Sequence, residues 1–325
     1  MTDAIGGYFG MEELSGKFNS FIHEDGVLLN LGRNAFRYIL LSIPDEIEKL
    51  YIPYYTCPVV WEHLFFSGKV YFYRIDKNLE IAEDIELGVH DYIVANNYFG
   101  IKDQYMEELS KKYGNHLIID NAQAFFAPVI PDTYAFYSPR KFFGVPDGGI
   151  ACVPNDNKSW LLYDTDDSDD RLEHLRIRIE QGPEAGYKKF REAEDGLDNQ
   201  ETMQMSYYTR EALLHIDYEK ACEIRRRNFQ MLHEALYNYN VLPIPDMDSF
   251  ACPMAYPFVD CRHRDWRYKM KEQRIFIPKF WPNVVSYGYF DYEEMLAERI
   301  MPLPIDQRYG EEDMKRIIDV ILKDN

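Results

Sequence analysis

A lysine and an aspartate 21 positions apart stand in settings that suit amine–carbonyl chemistry. Lys141 lies in Tyr137-Ser138-Pro139-Arg140-Lys141-Phe142-Phe143-Gly144, with Gly148-Gly149 just beyond. Schiff-base chemistry needs a neutral amine, and apolar neighbours with an adjacent cation such as Arg140 favour that form. The competing reading is two solvated basic residues in a loop. Asp120 closes the apolar run Leu117-Ile118-Ile119, at the carboxyl end of a strand, where open parallel sheets bind ligands. A carboxylate there can bond a pyridine nitrogen and keep it protonated, which makes the ring an electron sink. It can equally cap the helix that follows. A third piece, Leu31-Gly32-Arg33-Asn34, opens a helix. Gly32 and the polar residues after it offer free N–H groups and the positive end of the helix dipole to a phosphate.

Elements of a particular kind must position these residues. Leu50–Thr56, Val70–Ile75, Asp91–Asn96, Leu117–Asp120, Thr133–Ser138 and Gly148–Val153 read as short buried strands, apolar and β-branched or aromatic. Helical patterns lie between them, at Asn34–Leu41 and at Gln104–Lys112 before a Tyr113-Gly114-Asn115 stop. Alternating β and α predicts an α/β protein with a mostly parallel central sheet flanked by helices. From Leu172 to Leu236 the pattern is largely helical, and Arg225-Arg226-Arg227 read there as solvated or ion-paired. Beyond Tyr237 the chain is rich in proline and turns, with strand-like Met254–Val259 and Arg274–Ile277 and helical Glu311–Leu322. We expect a large cofactor-binding domain over residues 1–220 and a smaller α+β domain over 221–325.

Composition removes several classes. A net charge of −19 argues against nucleic acid and against a polybasic membrane anchor. Five scattered cysteines with no CxxC fit a reduced compartment, and no apolar run is long enough to span a bilayer, so a cytoplasmic protein is expected. The acidic run Asp164–Asp170 reads as a surface loop, because its spacing matches no calcium loop. Cys252, Cys261 and His263 have no zinc spacing, so no metal is expected. Gly6-Gly7-Tyr8-Phe9-Gly10 follows no strand and lacks the spacing of a dinucleotide-binding turn.

Taken in order, these segments resemble the DegT/DnrJ/EryC1/StrS family of pyridoxal phosphate (PLP)-dependent aminotransferases. The blocks that carry the resemblance are Asp120-Asn121-Ala122-Gln123, Ser138-Pro139-Arg140-Lys141 and Gly148-Gly149. Ile52-Pro53-Tyr54-Tyr55-Thr56, Asn97-Tyr98-Phe99-Gly100 and Met301-Pro302-Leu303-Pro304-Ile305 extend it over most of the chain. The resemblance implies the type I fold of PLP enzymes and a homodimer with a shared site. It implies an amino group moved from a donor such as glutamate to a keto acceptor, many relatives acting on nucleotide-linked keto sugars.

By the same resemblance Lys141 forms the internal aldimine and shuttles the proton, and Asp120 pairs with the pyridinium nitrogen. Gln123 lies near the phenolic oxygen, while Gly32, Arg33 and Asn34 hold the phosphate. Tyr55 covers the ring face, Ser138 is the nearest hydroxyl, and Asn97 counts among the cofactor-binding residues. The chain departs from the family in three places. Phe136 stands where a phosphate-binding serine is common, Cys57 where an aromatic ring-stacker is common, and Thr202-Met203-Gln204-Met205 where Asn-Tyr-Arg-Met is usual. A dehydratase reading is weaker, since sugar dehydratases of the family typically replace the lysine with histidine. A non-enzymatic or regulatory protein on the same fold is the remaining alternative.

Overall fold

A computed structural model describes residues 3–198 and 200–323. Strands β1 (Ile5–Gly6), β2 (Val27–Leu29), β3 (Lys49–Pro53), β4 (Val70–Tyr73), β5 (Asp91–Asn96), β6 (Leu117–Asn121), β7 (Tyr134–Tyr137) and β8 (Gly149–Cys152) come first. Helices α1 (Gly32–Ser42) and α2 (Asp103–Tyr113) lie among them. The helical middle holds α3 (Glu173–Gln181), α4 (Pro183–Asp195), α5 (Tyr207–Leu213) and α6 (Tyr218–Leu236). The remainder is β9 (Ala255–Phe258), α7 (Arg267–Glu272), β10 (Ile275–Phe276), α8 (Asn283–Tyr287), α9 (Asp291–Arg299), β11 (Met301–Pro304) and α10 (Glu311–Leu322).

Strands β2 to β8 form one sheet in the order β2-β8-β7-β6-β5-β3-β4. The pairs from β4 through β7 are parallel, whereas β8 runs antiparallel to both β7 and β2. The expected mostly parallel sheet is therefore present, with an antiparallel edge that includes β2, a strand too short to show a period in sequence.

Both faces of the sheet are covered, so its central strands are apolar at consecutive positions rather than alternating. Along β5, Ile93 and Ala95 face one core with Ile119 and Tyr137. Tyr92 and Val94 face the other, where Ala35, Phe36 and Ile39 of α1 pack. Helix α2 stops where Gly114 takes φ +53, a conformation a β-carbon disfavours.

The parallel β1–β10 pair joins the start of the chain to its C-terminal third, Ile5 lying opposite Ile275. From there residues 7–19 run back across the molecule as a strap. Met11 N donates to Leu175 O, Glu12 N to Gly144 O and Asn19 N to Leu214 O.

Two expectations need correcting. Arg225 is fully buried, not solvated, because its guanidinium is satisfied by carbonyl oxygens. The acidic run is not wholly a surface loop either. Asp166 and Ser168 are buried, and Asp166 pairs with Arg171 at 2.9 Å. Among the described residues no group of His, Cys, Asp or Glu could hold a metal ion, and no helix is long and apolar enough to cross a membrane.

Candidate active site

The carboxyl ends of β3, β5, β6 and β7 lie along one edge of the sheet, since these strands are parallel and in register. Asn96 is opposite Asp120, and Asp120 is opposite Phe136. Asp120 is buried there, and burial pushes its carboxyl up. The positive charge of Lys141 and the N–H of Ala122 work against that shift. Oδ1 accepts from Ala122 N at 2.9 Å, while Oδ2 accepts no hydrogen bond among the described residues. One oxygen thus fixes the carboxylate and the other is left for a ligand.

Strand β7 leads through Ser138 into a single 3-10 turn, Pro139–Lys141, which presents the lysine beside that edge. Lys141 is half-buried, and its Nζ has no hydrogen-bond or ion-pair partner among the described residues. Arg140 does not reinforce it: the guanidinium turns away to pair with Glu194.

Cys57 follows β3 at the carboxyl end of that strand. Burial raises its thiol pKa. Lys141 and Arg33 oppose the rise and Asp120 adds to it, so all three charged groups act on one sulfur.

The helix start is built beside the lysine turn. No side chain caps α1 at Leu31, so its first N–H groups are left for another acceptor. A β-carbon on Gly32 would touch Ser138, 3.4 Å from Cβ and 3.7 Å from Oγ. The Ser138 hydroxyl makes no hydrogen bond among the described residues. Gly148 and Gly149 explain how the two pieces come so close. A β-carbon on Gly148, at φ +130, would stand 2.6 Å from Pro139 Cγ, and one on Gly149 would stand 2.6 Å from Gly32 N. The glycine pair therefore lets one backbone pass between the lysine turn and the helix start.

Other expected residues are placed differently. Gln123 Oε1 accepts from Phe99 N at 2.8 Å, and its Nε2 is buried without a partner. Such an orphaned donor costs stability unless a ligand oxygen meets it. Arg33 reaches Asp198 at 3.1 Å. Asn34 is fully buried and donates to Asn30 Oδ1 and Glu201 O, so its amide ties α1 to the 200–201 segment. Asn97 is also committed: Nδ2 donates to Asp103 Oδ1 and Asn121 Oδ1, and Oδ1 accepts from Lys102 N. Tyr55 has its ring between Tyr98 and Trp281, with centroids 5.7 and 4.5 Å away, and none of it is exposed. Thr202–Met205 lies along β2, where Gln204 bridges to Leu29.

Sequence reasoning missed Asn96, whose Nδ2 donates to Thr56 Oγ1 at 2.8 Å while its Oδ1 stays buried and unpaired. Nothing but the β3–β5 pairing joins those two residues, so no sequence signal was there to find.

No family model and no curated protein sequence matches the chain. Solved structures do. DesV of S. venezuelae, in complex with a ketimine intermediate, is similar over 92% of this chain and 84% of its own, at a TM-score of 0.59 and 15% identity. This is the type I fold of PLP enzymes. A DegT DnrJ EryC1 StrS aminotransferase from Brucella abortus is similar over 91% of this chain and 84% of its own, at a TM-score of 0.60 and 16% identity. NtdA from Bacillus subtilis, with bound cofactor PMP, covers 95% of this chain and 78% of its own, at a TM-score of 0.61 and 13% identity. Likeness at these identities extends to the fold, and the fold expected from the sequence is the one observed.

Proposed function

We propose that the chain is a PLP-dependent aminotransferase of the DegT/DnrJ/EryC1/StrS type. The observation that carries the reading is buried Asp120 at the carboxyl edge of the sheet, its Oδ2 unpartnered among the described residues, beside the lysine turn and the uncapped helix start that packs on Ser138. The residues present fit the cofactor. Gly32 and the Ser138 hydroxyl would hold its phosphate, with Arg33 nearby. Asp120 Oδ2 would face the ring nitrogen, and the orphaned Gln123 Nε2 would meet the phenolic oxygen. PLP, when bound, supplies an electron sink for charge left on the donor's α carbon.

The chain's own groups do the rest. Lys141 Nζ would take the proton from the donor's α carbon. Buried Asp120, fixed in orientation by Ala122 N, would hold a proton on the ring nitrogen.

The proposed donor is glutamate and the acceptor a keto compound, of which a nucleotide-linked keto sugar is one class. DesI, another structure of this fold, was solved in the presence of its TDP-sugar product. We assign the chain to the cytoplasm and to a homodimer with a shared site, and divide it into a large domain (1–220) and a small one (221–325). To test the activity, PLP-loaded protein is mixed with glutamate and 2-oxoglutarate is assayed. Stoichiometric 2-oxoglutarate with loss of the visible band supports the reading, and no product from any amino acid tried contradicts it.

A further inference from the structure

The loop just after Lys141 is held by three side chains from distant parts of the chain. Arg225 Nη2, on α6, donates to Phe142 O at 3.0 Å. Gln307 Nε2, after β11, donates to the same oxygen at 2.8 Å, and its Oε1 accepts from Arg225 Nε at 2.9 Å. Glu12, on the strap, accepts from Gly144 N at 2.7 Å through Oε2 and from Gln307 Nε2 at 3.2 Å through Oε1. The Glu12 N–H returns a bond to Gly144 O at 3.1 Å. The Arg225 guanidinium also lies 4.6 Å from the centroid of the Phe142 ring, and its Nη1 donates to Met254 O at 3.1 Å.

A fully buried arginine that answers mainly to carbonyl oxygens is a costly way to fill a core. Its planar fork nevertheless does what no apolar residue can, which is to fix several acceptors at set angles. Here one acceptor, Phe142 O, follows Lys141 directly. We propose that Arg225, Gln307 and Glu12 are positioning residues that set the place and direction of the Lys141 amine, coupling it to the N-terminal strap and the C-terminal third. The proposal rests on the reading of Lys141 as the reacting amine. None of the three hydrogen-bonds Lys141 itself; their bonds are to Phe142 O and Gly144, so they act through the loop.

The geometry makes the three unequal. Arg225 reaches Phe142 O, Met254 O and Gln307 Oε1, so Arg225→Met removes three bonds and exposes the fold to collapse. Arg225→Lys keeps a cation near the Phe142 ring and can serve one carbonyl. Gln307→Leu removes the donor to Phe142 O together with the bonds to Glu12 Oε1 and Arg225 Nε, and Glu12→Gln turns an amide N–H toward the Gln307 donor or toward Gly144 N. Glu12→Gln, which keeps size and shape, is the mildest change.

The test measures Lys141 in cofactor-free protein, where activity plays no part. An amine-acylating reagent is applied to folded wild type, Gln307→Leu, Glu12→Gln and Arg225→Lys. Labelling at Lys141 is then read by peptide mass spectrometry against exposed Lys188. We expect Lys141 to label about fivefold faster in Gln307→Leu and Glu12→Gln, the factor that one net hydrogen bond represents. Arg225→Lys should fall between them and wild type. In protein given PLP, the pH midpoint of the visible band should move in the same variants. Unchanged relative labelling together with an unmoved midpoint would overturn the proposal. If wild type forms no visible band with PLP, the functional reading fails, and the labelling arm still decides whether the network holds the amine.

Discussion

Gly149 and Gly32 approach so closely that a β-carbon on Gly149 would stand 2.6 Å from the Gly32 backbone nitrogen. That contact seats the start of α1 against strand β8, while Gly148 seats the same strand against Pro139 of the lysine turn. Gly149→Ala should therefore separate the helix start from Ser138. We expect a loss of about 3 kcal/mol of stability, the upper range for overpacking a tight site, with PLP affinity falling more than stability alone explains. Denaturant midpoints and a visible-band titration check it; an unchanged Kd would show that the contact serves packing only.

Gln123 makes one bond and lacks another. Gln123→Leu should cost about 1 kcal/mol through the lost Phe99 N acceptor. It should weaken PLP binding as well, because the orphaned Nε2 is the donor proposed for the cofactor's phenolic oxygen. Thermal melts with and without PLP separate the two effects: the ligand-induced rise in Tm should shrink in the variant.

Two histidines should make the fold acid-sensitive. Burial lowers the pKa of His23 to about 4, although its bond to Phe125 O pulls the other way, and burial first and Arg140 second lower His174 to about 4. A histidine kept neutral in the folded chain contributes stability above its unfolded pKa of about 6.5. That contribution is lost as pH falls from 6.5 toward 4. Burial raises Glu12, Asp103 and Asp120, which acts in the opposite sense, so only a difference isolates the histidine. His23→Phe should be less stable than wild type at pH 7, where the Phe125 O bond is lost, and the gap should close or reverse toward pH 4.5. A constant gap across that range would contradict the assignment.

Thiol reactivity should follow local charge. Contact with Cys252 lowers the Cys222 thiol, helped by Arg226 and Arg225, whereas burial raises Cys57, Cys152 and Cys252. The thiolate is the reacting form. At neutral pH an alkylating reagent should therefore modify Cys222 before those three, as mapped by peptide mass. Added PLP should slow the reaction of Cys57, whose sulfur senses Lys141, Asp120 and Arg33, and leave Cys222 unaffected.

The parts of this molecule that depend on neighbours in sequence were readable, and those that depend on neighbours in space were not. β5 is Asp91–Asn96, as its continuous apolar run suggests, and α10 is Glu311–Leu322, as its helical periodicity suggests. The placement of Asp120 at a strand end and of Lys141 in a proline-bounded turn was legible because both are local features. Asn34 and Asn97 sit beside the expected site in sequence, yet their amides are committed to Asn30, Glu201, Asp103 and Asn121. Which way a side chain leaves the backbone there is decided by strands that pair from far away. Arg225 shows the same limit from the other side. Three consecutive arginines on a helix look like a solvated face until Phe142, Met254 and Gln307 are brought around one of them.

The central claim, that Lys141 is the amine that carries PLP, has a direct measurement. Protein incubated with PLP is reduced with borohydride, digested, and searched by mass spectrometry for a pyridoxyl-phosphate adduct, with Lys141→Ala treated alongside. The account predicts a single dominant adduct on Lys141, with a visible band before reduction, and neither in the variant. Adducts spread over surface lysines such as Lys188, unchanged by Lys141→Ala, would contradict it.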